Sequence, residues 1–280
     1  MVLRIVTDST ADLPPEVVER LGITVVPLVV MFGDEMLQDG IDITSERFFR
    51  RLVREAQLPT TSQPSPGNFR VAYERLRDGG ATEILSIHVS GKLSRTVESA
   101  RQGAAGVTGV RIEHVDSGHA SLALGMGVIA AARAAEAGGN LDEVRALVVS
   151  QFRRTHCYFL VDTLEYLRRG GRIGRAQQLI GSLLQFKPLL EIRDGEVVPL
   201  GRARTRRKAV EDLIRRISEL RPFTHAMAVH ATTQEDCDFL VERLHGMAQD
   251  AEIISGRLTP VVGVHGGPGL LGCAVVTAEA

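Results

Sequence analysis

The chain has 280 residues, of which 44% are hydrophobic and 24% are charged, so it can bury a large core and is typical of a globular protein. Its formal net charge of −1 gives no general attraction for nucleic acid or for an anionic membrane. The three cysteines are scattered, which favours neither a disulfide framework nor a metal site. The sequence contains no recognisable signal segment and no apolar run of about 20 residues. We therefore expect a cytoplasmic protein without stable membrane insertion, without a metal and without a nucleic-acid partner.

The N-terminal half alternates predicted strands with predicted helices. The strands are expected at 3–10, 24–31, 83–89 and 111–117. The helices are expected at 14–21, 45–56, 96–103 and 121–136. A strand, a helix and a further strand in succession form a βαβ unit, and repeated units indicate a mainly parallel open sheet with flanking helices. Residues 58–67 contain three prolines and are predicted to form a stiff loop.

The glycines at 138 and 139 end the last of these helices and mark a predicted domain boundary. We expect an N-terminal α/β domain at 1–140 and a C-terminal α/β domain at 141–280. The strands of the second domain are expected at 158–162, 225–230, 252–255 and 273–277, with a β-hairpin at 189–200. Its helical segments are expected at 142–155, 164–168, 175–185, 205–220 and 234–246. His265 precedes a Gly-Pro-Gly turn and is predicted to lie at the tip of a further hairpin.

The stretch from Val89 to Thr96 joins a predicted strand to a predicted helix through small residues. Backbone N–H groups at such a junction point towards one position, where the helix dipole also favours an anion. Ser90, Ser94 and Thr96 add hydroxyl groups that can donate hydrogen bonds to a carboxylate or a phosphate. The alternative is that these residues only cap the helix.

Three predicted strands end in the same kind of polar residues. Asp8 and Ser9 follow the first strand, the Ser90–Ser94 turn follows the third, and Asp116 and Ser117 follow the fourth. Because the carboxyl ends of parallel strands meet at one edge of a sheet, these side chains favour a ligand site at that edge.

Six stretches resemble one family in the same order and over nearly the whole length. They are VTDSTADL at 6–13, TSQPS at 61–65, IHVSGKLS at 87–94, VDS at 115–117, LEYLRRGGRI at 164–173 and HGGPG at 265–269. The sequence is similar in these stretches to the DegV family of fatty-acid-binding proteins, which present acyl chains to a fatty acid kinase. No single stretch is decisive, but the order makes the match specific.

The resemblance implies a two-domain α/β protein with a long-chain fatty acid in a tunnel between the domains. It implies that Thr61, Ser62 and Ser94 bind the carboxylate, and that Arg172 and His265 lie near it for the kinase encounter or for phosphoryl transfer. The partner would be the ATP-binding subunit of a fatty acid kinase, and the protein itself would be a carrier without a cofactor and without catalytic residues. Supporting turn and sheet-edge positions are Asp8, Ser9, Ser90, Asp116, Ser117, Gly266 and Gly267.

The residues themselves leave two alternatives open. Ser94, His265 and Asp116 have the residue types of a hydrolase triad, although no Gly-x-Ser-x-Gly motif surrounds the serine. A sensor of a small phosphorylated metabolite would use the same anion site without an apolar tunnel. Arg95 stands where the family often has glycine, and it either adds a cation near the carboxylate or points to solvent.

Overall fold

The computed structural model of this chain describes residues 2–180 and 186–278. Its strands are β1 (Leu3–Asp8), β2 (Thr24–Val26), β3 (Val29–Phe32), β4 (Glu35–Gln38), β5 (Thr60–Ser62), β6 (Glu83–His88), β7 (Arg111–Asp116), β8 (Thr155–Leu160), β9 (Lys187–Arg193), β10 (Glu196–Ala203), β11 (Phe223–His230), β12 (Glu252–Arg257) and β13 (Leu271–Thr277). Its α-helices are α1 (Pro15–Arg20), α2 (Ser45–Leu52), α3 (Pro66–Asp78), α4 (Thr96–Ala104), α5 (Leu122–Glu136), α6 (Leu141–Arg153), α7 (Glu165–Arg169), α8 (Arg206–Ser218), α9 (Gln234–Met247) and α10 (Pro260–Gly266). Short 3₁₀ segments lie at Ser9–Ala11 and Gly174–Leu179.

Three sheets organise these strands. The N-terminal sheet is parallel, with the order β2-β1-β6-β7. The C-terminal sheet is mixed, with the order β10-β9-β8-β13-β11-β12, and β9 and β10 form its hairpin. A small antiparallel sheet has the order β4-β3-β5. The predicted fold class, α/β with a parallel N-terminal sheet and a C-terminal hairpin, is confirmed. No helix within the described ranges is long and apolar enough to cross a membrane.

Helix α5 lies between the two large sheets. It contacts β1 and β6 on one side and β8, β11 and β13 on the other, and most of its residues are buried. Its glycines permit close packing against the N-terminal half, because a Cβ atom at Gly125 would lie 2.4 Å from the carbonyl oxygen of Ala11. A Cβ atom at Gly127 would lie 2.4 Å from the ring of Phe152. Helix α5 joins the two halves of the molecule through its contacts with strands of both large sheets.

The predicted strand at 24–31 is wrong as a single element. The chain forms β2 in the parallel sheet and then leaves it at Pro27, because proline has no N–H group for the ladder. It re-enters as β3 in the small sheet, where it pairs with β4 and β5. The predicted loop at 58–67 is therefore wrong for Thr60–Ser62, and β4 was not predicted. Strands β4 and β5 are too short to show a recognisable sequence pattern, and they form because they pair with β3.

Two C-terminal expectations are also corrected. His265 lies in α10 and not at a hairpin tip, because Pro260 occupies the first turn of a helix that buries the valine-rich segment against α2, α7 and β3. The helix predicted at 175–185 is a 3₁₀ segment over Gly174–Leu179, and its last part, 181–185, lies outside the described residues.

The domain boundary at residue 140 stays a prediction. The largest hydrophobic core contains residues from both sides of it, including Val30 and Phe48 from the small sheet and α2, and Val229 and Val261 from the C-terminal part. Separate cores lie on the two faces of the parallel sheet and on the outer face of the C-terminal sheet. The small sheet and α2 therefore pack with the C-terminal half, although they precede it by about a hundred residues.

Candidate ligand-binding site

A mostly apolar pocket, here called the main pocket, lies between the two halves of the molecule. Its cavity volume is about 120 Å³, and the wider space between its lining atoms, part of which is open solvent, is about 900 Å³. Its apolar lining comes from several elements and includes Leu28, Leu122, Phe159, Ile192, Val229 and Leu270. An apolar lining of this kind suits an apolar ligand, since burial of hydrocarbon is the main source of affinity at such a site.

Three polar residues lie at the boundary between the main pocket and a second cavity, and this boundary is here called the mouth. Thr61, Arg172 and His265 line the main pocket, and they also line the second cavity, here called the outer groove. The outer groove is bounded as well by residues 56–60, Tyr166, Arg169, Gly170 and Val264. Polar groups therefore stand where the apolar interior meets the groove.

Thr61 and His265 are joined by a hydrogen bond. The pairing of β5 with β3 fixes Thr61, α10 carries His265, and the Thr61 Oγ1 and His265 Nε2 atoms are 2.8 Å apart. Burial lowers the pKa of His265 to about 4, and the positive charge of Arg172 acts in the same direction. The imidazole is therefore neutral near pH 7.

The surroundings of His265 indicate which ring nitrogen carries its proton. The Nδ1 atom is buried without a hydrogen-bond partner and lies against Gly170, where a Cβ atom would be only 2.2 Å from it. An N–H group costs more than a lone pair when it is buried without a partner, so we infer that the proton is on Nε2 and is donated to Thr61. The hydroxyl proton of Thr61 is then available to a ligand.

Ser94 lines the main pocket from the turn before α4. Its Oγ atom lies 2.8 Å from Thr96 Oγ1, and its backbone N–H donates to the carbonyl of Ser90. The N-cap position of α4 is Arg95, which makes no side-chain capping bond and is exposed to solvent. Ser94 therefore does not cap the helix, and Arg95 lies outside the main-pocket lining.

The C-terminal half holds this turn in place. Arg172 Nε donates to the carbonyl of Leu93 at 2.9 Å, and its Nη1 donates to the carbonyl of Gly170 at 2.7 Å. Ser90 Oγ donates to the carbonyl of Gly195, at the hairpin turn, at 2.7 Å. The position of Ser94 relative to the mouth therefore depends on contacts between the two halves.

The other sheet-edge residues lie outside the main pocket and mainly bind the backbone around them. Asp8 is fully buried, contacts His88 Nδ1 at 2.9 Å and accepts from the amide of Val89. Ser9 accepts from the amide of Leu28, whereas Asp116 accepts from the amides of Gly91 and Gly118. Ser90, Asp116 and Ser117 border a separate groove beside the hairpin turn. Ser62 donates to the carbonyl of Gln63 and does not line the main pocket.

The geometry does not form a hydrolase triad. Ser94 contacts Thr96, His265 contacts Thr61, and Asp116 contacts backbone amides. Among the described residues, no group of three His, Cys, Asp or Glu side chains could hold a metal ion.

Gly266 and Gly267 support the turn after His265. A Cβ atom at Gly266 would lie 2.3 Å from the side chain of Leu270, and one at Gly267 would lie 2.3 Å from the ring of Tyr166. Gly267 also has a φ of 75°, which favours glycine.

The role of Tyr166 in the outer groove was not predicted, although it belongs to the stretch at 164–173. The apolar lining has no motif that could have predicted it.

Comparison with known proteins identifies the family. The DegV family model, described as "Uncharacterised protein, DegV family", matches residues 2–278. A DegV domain-containing protein of Streptomyces coelicolor is 42% identical over 277 residues, which is 97% of each chain. This chain therefore belongs to the DegV family.

Two solved structures share the whole fold. A DegV family protein from Thermus thermophilus, described for its fatty acid binding, is 36% identical with a TM-score of 0.92, covering 99% of this chain and 100% of its own. DegV from Bacillus subtilis, described as a fatty acid binding protein, is 32% identical with a TM-score of 0.90, covering 99% of each chain.

Proposed function

We propose that this protein binds a long-chain fatty acid in the main pocket and presents its carboxylate at the mouth. The observation that carries the proposal is an apolar pocket bordered by Thr61, Arg172 and His265, the three polar residues that it shares with the outer groove. The fatty acid binding described for the Thermus thermophilus and Bacillus subtilis relatives supports it. A sensor of a small phosphorylated metabolite would have no use for such an apolar interior.

The division of the pocket suits the two ends of a fatty acid. Each buried methylene group contributes about 0.8 kcal/mol, so the acyl tail supplies most of the affinity. The carboxylate then needs only hydrogen-bond donors, which the hydroxyls of Thr61 and Ser94 would provide. Ser62 is a further proposed donor, and it would have to turn from its present contact with Gln63. Neutral donors avoid the desolvation cost of a fully buried ion pair.

The outer groove is the proposed place of contact with a separate ATP-dependent fatty acid kinase. A carboxylate bound at the mouth would face this groove, where a partner could bring the γ-phosphate of ATP to it. Arg172 would supply positive charge beside the developing phosphate, and His265 would hold Thr61 in its donating orientation. The protein would itself contribute no nucleophile and no general acid or base. Since ATP supplies the phosphoryl group, we expect the encounter to occur in the cytoplasm.

Removal of the Ser94 hydroxyl tests the binding half of this proposal. Ser94→Ala is expected to weaken oleate binding by about 1–3 kcal/mol, because a buried carboxylate oxygen loses a donor. Isothermal titration calorimetry with oleate measures the change, and Ser255→Ala, on the exposed part of β12, is the control. Equal affinity of the two variants would exclude Ser94 from the carboxylate site.

A further inference from the structure

A chain of buried polar side chains runs across the N-terminal sheet and has no part in the function proposed above. Asp8 Oδ2 lies 2.9 Å from His88 Nδ1, and His88 Nε2 lies 2.7 Å from Ser86 Oγ. The Tyr73 hydroxyl lies 2.8 Å from Ser86 Oγ and 3.3 Å from His114 Nε2. The first four of these residues are each 0% exposed. A buried polar network that is satisfied in this way holds the backbone around it in one arrangement.

The register of the parallel sheet brings these side chains together. Ser86 of β6 lies opposite Val6 of β1 and opposite His114 of β7. Ser86 and His88 are two residues apart in β6, so their side chains point to the same face of the sheet. Tyr73 of α3 packs in the hydrophobic cluster that includes Val6. Three strands and one helix therefore contribute to a single line of hydrogen bonds.

Asp8, at one end of this line, holds two segments that line the main pocket. Its Oδ1 atom accepts from the amide of Thr10 at 3.1 Å and from the Thr10 hydroxyl at 2.5 Å. Its Oδ2 atom accepts from the amide of Val89 at 3.1 Å. Thr10 and Val89 both line the main pocket, and Val89 directly precedes the turn that carries Ser94. Asp8 therefore fixes the end of β1 relative to that turn.

The contacts of Asp8 indicate that its side chain is ionised. Each carboxylate oxygen accepts from a backbone amide, and hydrogen bonds of this kind favour the charged form. A charge at a fully buried position is costly unless it is compensated. Within residues 2–180 and 186–278, no lysine or arginine forms an ion pair with Asp8, and the titratable side chain that contacts it is His88.

The far end of the line indicates where its protons lie. Burial lowers the pKa of His114 to about 4, and a positive charge on His88 acts in the same direction, so the His114 ring is neutral near pH 7. A hydrogen bond with the backbone of Ala100 favours protonation of this ring. Because the Nε2 atom of His114 faces the Tyr73 hydroxyl, we assign its proton to Nδ1. The Nε2 atom is then an acceptor.

The direction of the remaining hydrogen bonds follows from this acceptor. Tyr73 and Ser86 have one hydroxyl proton each. If Tyr73 donates to His114, then Ser86 donates to Tyr73, and the Ser86 oxygen is left to accept from His88 Nε2. The Nδ1 atom of His88 donates to the Asp8 carboxylate. With a proton on both ring nitrogens, His88 is an imidazolium.

We propose that Asp8 and His88 form a buried carboxylate–imidazolium pair and act as positioning residues for the pocket-lining segments at Thr10 and Val89. An asparagine at position 8 would lack one acceptor atom. In either orientation its NH₂ group would face the amide of Thr10 or the amide of Val89, so one lining segment would move. The effect on a ligand rests on the proposed function, whereas the pair itself does not.

The test compares oleate binding by Asp8→Asn and by Thr7→Val. Thr7 is fully buried in the same strand, and its hydroxyl donates to the carbonyl of Ile87 in β6 at 2.8 Å, but it does not line the main pocket. Both variants lose a buried hydrogen bond between β1 and β6, so both should unfold at a lower temperature. Calorimetry should show about 10-fold weaker oleate binding by Asp8→Asn and nearly normal binding by Thr7→Val. Equal losses of affinity would overturn the positioning role.

Two measurements without oleate separate this inference from the proposed function. Hydrogen exchange at the amides of Thr10 and Val89 should be about 10-fold faster in Asp8→Asn than in Thr7→Val, and equal rates would contradict the positioning role. ¹⁵N NMR of the histidine rings in the unchanged protein should show both nitrogens of His88 protonated near pH 7. An unprotonated Nε2 atom would overturn the pair, and this result does not depend on whether Asp8→Asn folds.

Discussion

Replacement of Gly272 by leucine is expected to lower the affinity for oleate on the order of 100-fold. A Cβ atom at Gly272 would lie 3.5 Å from Leu122 and from Phe159, so the first added carbon fits without a clash. Gly272, Leu122 and Phe159 all line the main pocket, so the rest of the leucine side chain would enter it. Displacing about four methylene groups at about 0.8 kcal/mol each accounts for an effect of this size.

The matched control for this change is Gly201→Leu in the hairpin strand β10. A Cβ atom at Gly201 meets its nearest neighbours at 3.9 Å, and Gly201 is absent from the main-pocket lining. Calorimetry with oleate should show normal affinity for Gly201→Leu, and thermal unfolding should show that both variants fold. If Gly272→Leu bound oleate as tightly as Gly201→Leu, the acyl chain would have to lie elsewhere.

Arg172→Ala is expected to reduce kinase-dependent acyl-phosphate formation by about 100-fold or more, the usual cost of removing a group that stabilises developing charge. Binding of oleate should weaken far less, by about 1 kcal/mol, because Arg172 donates to the carbonyls of Leu93 and Gly170 while the hydroxyls hold the carboxylate. A reconstituted assay with ATP and the kinase subunit measures the first effect, and calorimetry measures the second.

Arg169→Ala provides the comparison for Arg172. Arg169 also borders the outer groove, but its guanidinium pairs with Glu165 and is largely exposed, so its removal should change turnover much less. In this account the hydroxyls bind the carboxylate and Arg172 serves the reaction with the kinase. The account would be contradicted if Arg172→Ala lost oleate binding while the protein that still carried oleate was turned over nearly as fast as the unchanged protein.

The sequence was sufficient to predict the large elements. Repeated βαβ units predicted the parallel sheet, and the hairpin predicted at 189–200 is present as β9 and β10. The errors lie where tertiary packing overrides a local pattern. The valine-rich segment before His265 reads as a strand, yet it forms α10 against α2 and α7, and Pro27 divides one apolar run between two sheets.

The candidate site was predictable only in its polar part. Ser94 was singled out by its place after a strand, and Thr61, Arg172 and His265 by resemblance to a family. The contact of Thr61 with His265 joins residues 204 positions apart, and no sequence spacing indicates it. The apolar lining depends in the same way on how the two halves pack. Such features become visible only when the sheets are placed against each other.

The central claim is tested most directly by native mass spectrometry of the purified protein, followed by solvent extraction of the bound material. The account predicts a long-chain fatty acid at close to one molecule per chain, and uptake of added oleate by any chain that lacks it. A protein that carries no lipid, and that takes up neither palmitate nor oleate, would contradict the assignment of the main pocket to an acyl chain.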